Sequence, residues 1–406
     1  MKITHIECIP LSVPTPMRGE GAAGNILMVK IHTDEGLTGI ADAGGVNQDI
    51  VISMIKTWEP ILIGADPLDK GLIMAKLNRF IRSVWGVSYP AAVATIDFAL
   101  WDLAGKALNQ PIYQLLGGRA VEKLMFNFFI HTENSPDGPR KAAEEAVKAK
   151  ADGVKSVGVK STGFGGGERS LERDVEIVGA IRKAVGDDMG ISFDANAGYN
   201  FHDALEMGHA MDDFKLFKYE QLCWDVNGLA QLRQKLNTPI CSHESSTLIP
   251  DLLQVIEKQA ADIVGTKLAS SGGITEGLKW ANVAKAAGFA MYCGAMNGPW
   301  EAAAQAHWLC SDAEFGTQDH DVFMPVLMYN TFDTTKITNG MDLIKNPQVY
   351  KDGYFYPPEG PGIGLELNEE ALPKYMTKGK SIVTFGTKPG NGQKPAGAGE
   401  KAKVLA

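Results

Sequence analysis

No Cys-x-x-Cys occurs in this chain, and its five cysteines (Cys8, Cys223, Cys241, Cys293 and Cys310) are odd in number. Neither a disulfide framework nor a structural zinc site is indicated, and a reducing, cytoplasmic setting fits best. Apolar runs are short; none approaches the ~18–20 residues that span a bilayer. The opening MKITHIECIPLSVP lacks a signal-peptide apolar core and alternates like a strand. Positive charge is not in excess either. A net charge of −9 argues against nucleic acid or an anionic membrane as partner. The glycine-rich GFGGGE follows a β-run but lacks the spacing of a dinucleotide fingerprint, so it reads as a flexible loop.

What is present is an ordered alternation. Residues 1–45 read as strands and turns, with ILMVKIHTDEGLTGIADA giving two β-runs joined by DEGL. Residues 50–117 are mostly helical. The long helix in ATIDFALWDLAGKALNQPIYQLLGG should stop at Asn109-Gln110-Pro111. From about residue 125 eight short β-runs alternate with amphipathic helices: MFNFFIHT, SVGVKS, GISFDAN, KLFKYEQ, PICSHES, DIVGTKLA, AMYCGAMN and HDVFMPVL. One helix, LERDVEIVGAIRKAVG, carries apolar residues at Leu171, Val175, Val178, Ile181 and Val185, close to the helical period. Parallel crossovers repeated this often point to a closed α/β barrel.

Two lysines and two carboxylates fall at the ends of these β-runs: Lys160 in SVGVKS, Asp194 in SFDAN, Glu220 in KYEQ and Lys267 in VGTKLA. A strand end is a rigid mount, and a barrel gathers its strand ends at one face. A metal held by carboxylates can bind a substrate carboxylate there, while flanking lysines remove or return the proton on the adjacent carbon. A single acid at a strand end is usually a solvated charge. Asp194 and Glu220, however, lie 26 residues apart, one βα repeat.

The chain resembles the mandelate racemase/muconate lactonizing enzyme branch of the enolase superfamily from residue 1 to about 385. FALWDLAGKALNQPIYQLLGG looks like the family's link between capping domain and barrel. GVKSVGVKSTG occupies its Lys-x-Lys strand, and Asp194 and Asn196 its Asp-x-Asn positions. FKYEQL supplies a second ligand, ADIVGTKLASSGGITEG the sixth strand, and PPEGPGIGLELNEEAL the closing segment. The resemblance implies a modified (β/α)7β TIM-like barrel under an N-terminal α+β capping domain completed by the C-terminal segment. It places the cap at 1–122, the barrel at 123–349 and a segment returning to the cap at 350–386; the tail at 387–406, rich in Gly, Pro, Lys and Ala, reads from its composition as disordered. The resemblance also implies Mg²⁺, a small-molecule carboxylate substrate and a homo-oligomer. Mg²⁺ suits hard oxygen ligands, and a lysine or histidine base working beside Mg²⁺ is an established pattern of this superfamily.

Several positions depart from the family pattern. Its first Lys-x-Lys lysine falls on Gly158. The histidine and aspartate of the racemase-type dyad fall on Gly294 and Lys267. A glutamate of the muconate-lactonizing type falls on Asn297. The third metal ligand is either Glu244 or His243, with Glu244 preferred for its hardness. Asn196, Asn297 and Trp300 are candidate substrate contacts. Met17, Arg18, Trp85 and Tyr89 are candidate cap residues reading the distal end of the substrate. Cys310 is a further, weaker candidate. The reading that follows is a Mg²⁺-dependent lyase that dehydrates a sugar acid or related hydroxy acid, with Lys160 and Lys267 as acid–base groups. The alternatives are a racemase, epimerase or cycloisomerase on the same site, and a barrel that binds ligand without turnover.

Overall fold

The computed structural model describes residues 1–14, 23–81, 88–130, 132–164, 168–294, 298–314, 320–321 and 341–388. Strands β1 (Ile3–Pro14), β2 (Ala23–Thr33) and β3 (Thr38–Gly44) form an antiparallel meander. The β2–β3 hairpin turns through Gly36, at φ +82, a conformation that a side chain disfavours. Helices α1 (Gln48–Leu62), α2 (Lys70–Ile81) and α3 (Ser88–Leu108) follow. Helix α3 is buried almost all round, through Ala92, Val93, Ile96, Phe98, Leu100 and Leu103. Such a helix belongs between layers, and α3 packs against β3 on one side and the barrel helices on the other. It stops where Asn109 turns left-handed, at φ +52, ahead of Pro111. The single turn α4 (Ile112–Leu115) leads into the barrel.

The barrel runs as β4 (Leu124–Ile130), α5 (Gly138–Ala151), β5 (Ser156–Lys160), α6 (Leu171–Val185), β6 (Gly190–Asp194), α7 (Phe201–Ala210), β7 (Lys218–Glu220), α8 (Val226–Lys235), β8 (Ile240–Ser242), α9 (Ile249–Lys258), β9 (Ile263–Thr266), α10 (Leu268–Ser271), α11 (Ile274–Ala286), β10 (Ala290–Cys293), α12 (Pro299–Cys310) and β11 (His320–Asp321). Strands β4 to β10 are parallel neighbours in chain order. Strand β11 pairs in parallel with β4 and packs beside β10, closing the ring. The chain then forms a small hairpin, β12 (Tyr350–Lys351) and β13 (Tyr354–Phe355), antiparallel to the start of β4. It finishes as β14 (Val383–Gly386), antiparallel to β1. Among the described residues no helix is long and apolar enough to cross a membrane.

Two sequence expectations shift. The buried face of α6 is Asp174, Ile177, Val178, Ile181 and Val185, with Leu171 and Val175 only partly covered. Asp174 turns inward because Tyr199 Oη and the Thr162 N–H both donate to it. Contacts also continue past 386: the Thr387 N–H donates to Thr4 and the Lys388 ammonium pairs with Glu7. The tail beyond 388 and the remainder of HDVFMPVL lie outside the described residues.

Three buried cap-side carboxylates stitch the layers. Asp42 on β3 accepts from the Trp300 and Glu301 N–H groups at the start of α12. Asp97 on α3 accepts from the N–H and hydroxyl of Thr275 at the start of α11. Asp102 accepts from Ile40, Ile363 and Lys106, joining β3, α3 and the closing segment. Each satisfies helix or strand donors that would otherwise be orphaned at a buried junction.

Candidate active site

Parallel register sets Lys160 beside Asp194, and Asp194 beside Glu220, across β5, β6 and β7. Side chains alternate along a strand, so residues two before these share the barrel interior one layer deeper: Gly158, Ser192 and Lys218. Asn127 joins that layer by donating to Ser192 Oγ at 3.1 Å. The space beside Gly158 is filled. A Cβ on Gly158 would sit 2.5 Å from Phe129 Cε1 and 2.8 Å from Asn127 Nδ2. The ring of Phe129 occupies the space, and the Lys160 ammonium lies 4.2 Å from its centroid.

The carboxylates share one buried space and feel one another's charge. Asp194 is ion-paired to Lys160 and accepts from the Asn196 N–H at 2.7 Å. Burial, then the charge of Glu220, pushes its carboxyl up to about 6. Burial would raise Glu220 as well, but the Lys218 ammonium and His243 hold it well below the usual carboxylate range. Its Oε1 accepts from His243 Nδ1 at 2.7 Å and Tyr292 Oη at 3.2 Å, and Oε2 lies 3.1 Å from Lys218 Nζ. Glu244 sits in a single 3₁₀ turn after β8. Burial pushes it up and His243 and Lys267 outweigh that, leaving it below its ordinary value. Asn196 Nδ2 donates to its Oε1 at 3.0 Å, while Oε2 has no hydrogen-bond partner among the described residues. Asn196 thus holds Asp194 through its backbone and Glu244 through its amide, from a left-handed backbone at φ +46. Mutually repelling buried carboxylates with an orphaned oxygen suit a hard divalent cation in chemistry, although as placed their oxygens do not all lie within 4.8 Å of one another, so a cation would have to draw them together.

His243 and Lys267 meet at Gly294. A Cβ there would lie 2.4 Å from His243 Cε1 and 2.9 Å from Lys267 Cε. Hence only a glycine fits at this position. Lys267 follows β9 directly and begins α10. His243 and Glu244 therefore both reach the site despite being neighbours, because strand alternation ends at Ser242 and the chain coils. Their tasks differ: His243 buttresses Glu220, and Glu244 presents a free oxygen.

Trp300, a substrate contact by its sequence position, is 1% exposed within the core at the start of the helix that Asp42 caps. Cys310, at the far end of the same helix, is buried beside the 120–121 backbone, away from the strand ends. Met17, Arg18, Trp85 and Asn297, the side chain of Tyr89, and the glycines at 165–167 lie outside the described residues. Lys218 was missed by sequence reasoning. It is 2% exposed, with Nζ 3.3 Å from the Tyr292 ring centroid. The signal was available: in FKYEQL, Lys218 is two residues before Glu220 and so shares its face.

Comparison with known proteins adds independent findings. The pattern of the enolase C-terminal domain-like family matches residues 141–371, and that of the mandelate racemase/muconate lactonizing enzyme N-terminal domain matches 10–117. The N-succinyl-L-Arg/Lys racemase of Bacillus cereus is 29% identical over 393 residues, covering 92% of this chain and 97% of that protein. The arabinonate dehydratase of Saccharolobus solfataricus is 30% identical over 280 residues, covering 65% and 70%. A solved mandelate racemase/muconate lactonizing family protein from Azoarcus sp. EbN1 superposes with a TM-score of 0.86 at 33% identity, over 95% of this chain and all of that one. Cycloisomerases also occur among the relatives.

Proposed function

The chain belongs to the mandelate racemase/muconate lactonizing enzyme family of the enolase superfamily, and on that footing we propose that it removes the proton alpha to a carboxylate, dehydrating a sugar acid or related hydroxy acid. The observation that carries this is the row of carboxylates Asp194, Glu220 and Glu244 with a lysine at each flank, Lys160 on β5 and Lys267 after β9. Such a proton is very weakly acidic, and its removal puts a second negative charge on the substrate. Asp194, Glu220 and Glu244 would hold Mg²⁺, whose chemistry when bound is to stabilise that charge, an effect worth several kcal/mol.

The chain's own groups do the rest. Lys160, held between the Phe129 and Phe164 rings, takes the α-proton. Lys267 addresses the substrate from the Gly294 side and delivers a proton to the departing β-hydroxyl. Asn196 keeps Asp194 and Glu244 aligned, and His243 keeps Glu220 aligned. Asn297 is a proposed substrate contact, and Arg18 and Trp85 are proposed contacts to the distal part of the substrate. The family relationship also supports a homo-oligomer.

A second reading has its own support. Lysines on two flanks also suit 1,1-proton transfer, in which one removes and the other returns the proton to the same carbon. The racemase relative, aligned over 92% of the chain, favours it. The deciding experiment is proton NMR in D₂O with Mg²⁺ and a pooled set of sugar acids, hydroxy acids and N-acylated amino acids. Deuterium should appear at an α-carbon. Loss of water then identifies the dehydratase, and a product of equal mass the isomerase. Lys160→Ala and Lys267→Ala should each lower turnover by roughly 10²- to 10⁴-fold, with Mg²⁺ affinity retained. Undiminished turnover in both variants would remove the assignment.

A further inference from the structure

Outside the barrel, two of the eight histidines lie face to face on the capping sheet. His5 on β1 and His32 on β2 are cross-strand partners, and Glu7 is two residues along β1 on the same face. The two rings stack in parallel, 4.1 Å apart. One ligand atom from each of His5, Glu7 and His32 lies within 4.8 Å of the others. Two donors on a tetrahedral ion stand roughly 3.4 Å apart, given metal–nitrogen distances near 2.1 Å. Because the rings are parallel and an imidazole nitrogen ligates in its own ring plane, at least one ring must turn out of the stack for both to meet one ion.

The surroundings prepare these groups for a metal. His5 Nδ1 contacts Thr4 Oγ1 and His32 Nδ1 contacts Thr38 Oγ1, each at 3.0 Å. A ring whose Nδ1 is held by a hydroxyl presents Nε2 to a ligand, which is the usual outer-shell arrangement of metal-binding histidines. His32 Nε2–H donates to Glu7 Oε2 at 3.1 Å, so an ion bound there takes the place of that proton. The other oxygen of Glu7 is held by Lys388, and Lys30 stands 3.9 Å from Oε2 while pairing with Glu369.

We propose that His5, Glu7 and His32 form a second metal site, on the capping sheet, for a divalent transition ion of the Zn²⁺, Co²⁺ or Ni²⁺ type. Two imidazoles and one carboxylate leave a fourth position open to solvent or an added ligand. Imidazole donors select such ions over Mg²⁺, whereas the all-oxygen set in the barrel has the opposite preference. The neighbouring ammonium groups compete for Glu7, so the ion displaces Lys30 from Oε2 and leaves Lys388 as an outer partner of Oε1.

The test is calorimetric titration of the full chain with ZnCl₂ in saturating MgCl₂, so that the barrel carboxylates are engaged. One equivalent should bind. His32→Ala and Glu7→Gln should abolish or weaken binding at least tenfold. Thr38→Val keeps all three donors, removes an outer partner, and should weaken binding roughly 10- to 100-fold. Lys388→Ala, which lies near the chain end and removes a competitor, should tighten it. Melting curves without metal would show that the variants fold. No Zn²⁺ binding by the wild type, or equal binding by folded His32→Ala and Lys388→Ala variants, would overturn the site.

Discussion

Gly158 shows how one missing side chain is explained by another that is present. A side chain on Gly158 has no room because Phe129 from the adjacent strand occupies its volume. Gly158→Ala should therefore destabilise the protein by about 1–3 kcal/mol through overpacking, and Phe129→Leu should recover much of that loss in denaturant titration. No recovery would mean that another contact limits the position. Lys218 carries positive charge into the same layer from β7 instead of β5. Lys218→Met leaves Glu220 buried without its ammonium, and breaking such a pair is worth about 3–5 kcal/mol. The metal-free variant should melt lower than the wild type. Mg²⁺ should raise its melting temperature by more than it raises that of the wild type, because the ion then meets an uncompensated carboxylate. Equal Mg²⁺-induced shifts would show that Lys218 and the ion do not share Glu220.

At the scale of elements, α11 and α12 begin against carboxylates contributed by other parts of the chain, Asp97 and Asp42. Gly298 has no room for a side chain because a Cβ would lie 2.4 Å from the Asp42 carboxylate. Burial pushes Asp42 up to about 7, against backbone donation from Glu301 and Trp300. The folded protein thus keeps a proton over a range in which an unfolded Asp, near 3.8, has lost it. Stability from this group is fullest below the unfolded value and declines as pH rises to about 7. Asp42→Asn removes the decline. Relative to wild type it should gain up to about 4 kcal/mol between pH ~4 and ~7, measured by urea denaturation across that range. Parallel pH profiles would contradict the burial argument.

At the scale of the whole molecule, the first and last of the described strands meet in one sheet. Strand β14 covers the edge of β1, and Lys388 reaches Glu7. Ending the chain after Ile382 exposes the N–H and C=O groups of that edge. A loss of a few kcal/mol, at about 2–4 °C per kcal/mol, should lower the melting temperature by roughly 5–10 °C and promote self-association, seen by light scattering. An unchanged melting temperature would mean that β14 is dispensable to the cap.

The sequence by itself determined the alternation of strands and helices, the strand-end placement of Lys160, Asp194, Glu220 and Lys267, and the family. These rest on local periodicities of two and 3.6 and on motif order, which one chain displays without partners. Even Lys218 was legible in this sense, from its spacing to Glu220. Only the tertiary structure decided how His243 and Glu244 divide their tasks, since that depends on where alternation gives way to a turn. It also decided why Gly158 and Gly294 are glycines, because the groups that need their space arrive from other strands. The burial of Trp300 and the gathering of His5, Glu7 and His32 are of the same kind. Long-range packing creates these relations, and no periodicity along the chain encodes them.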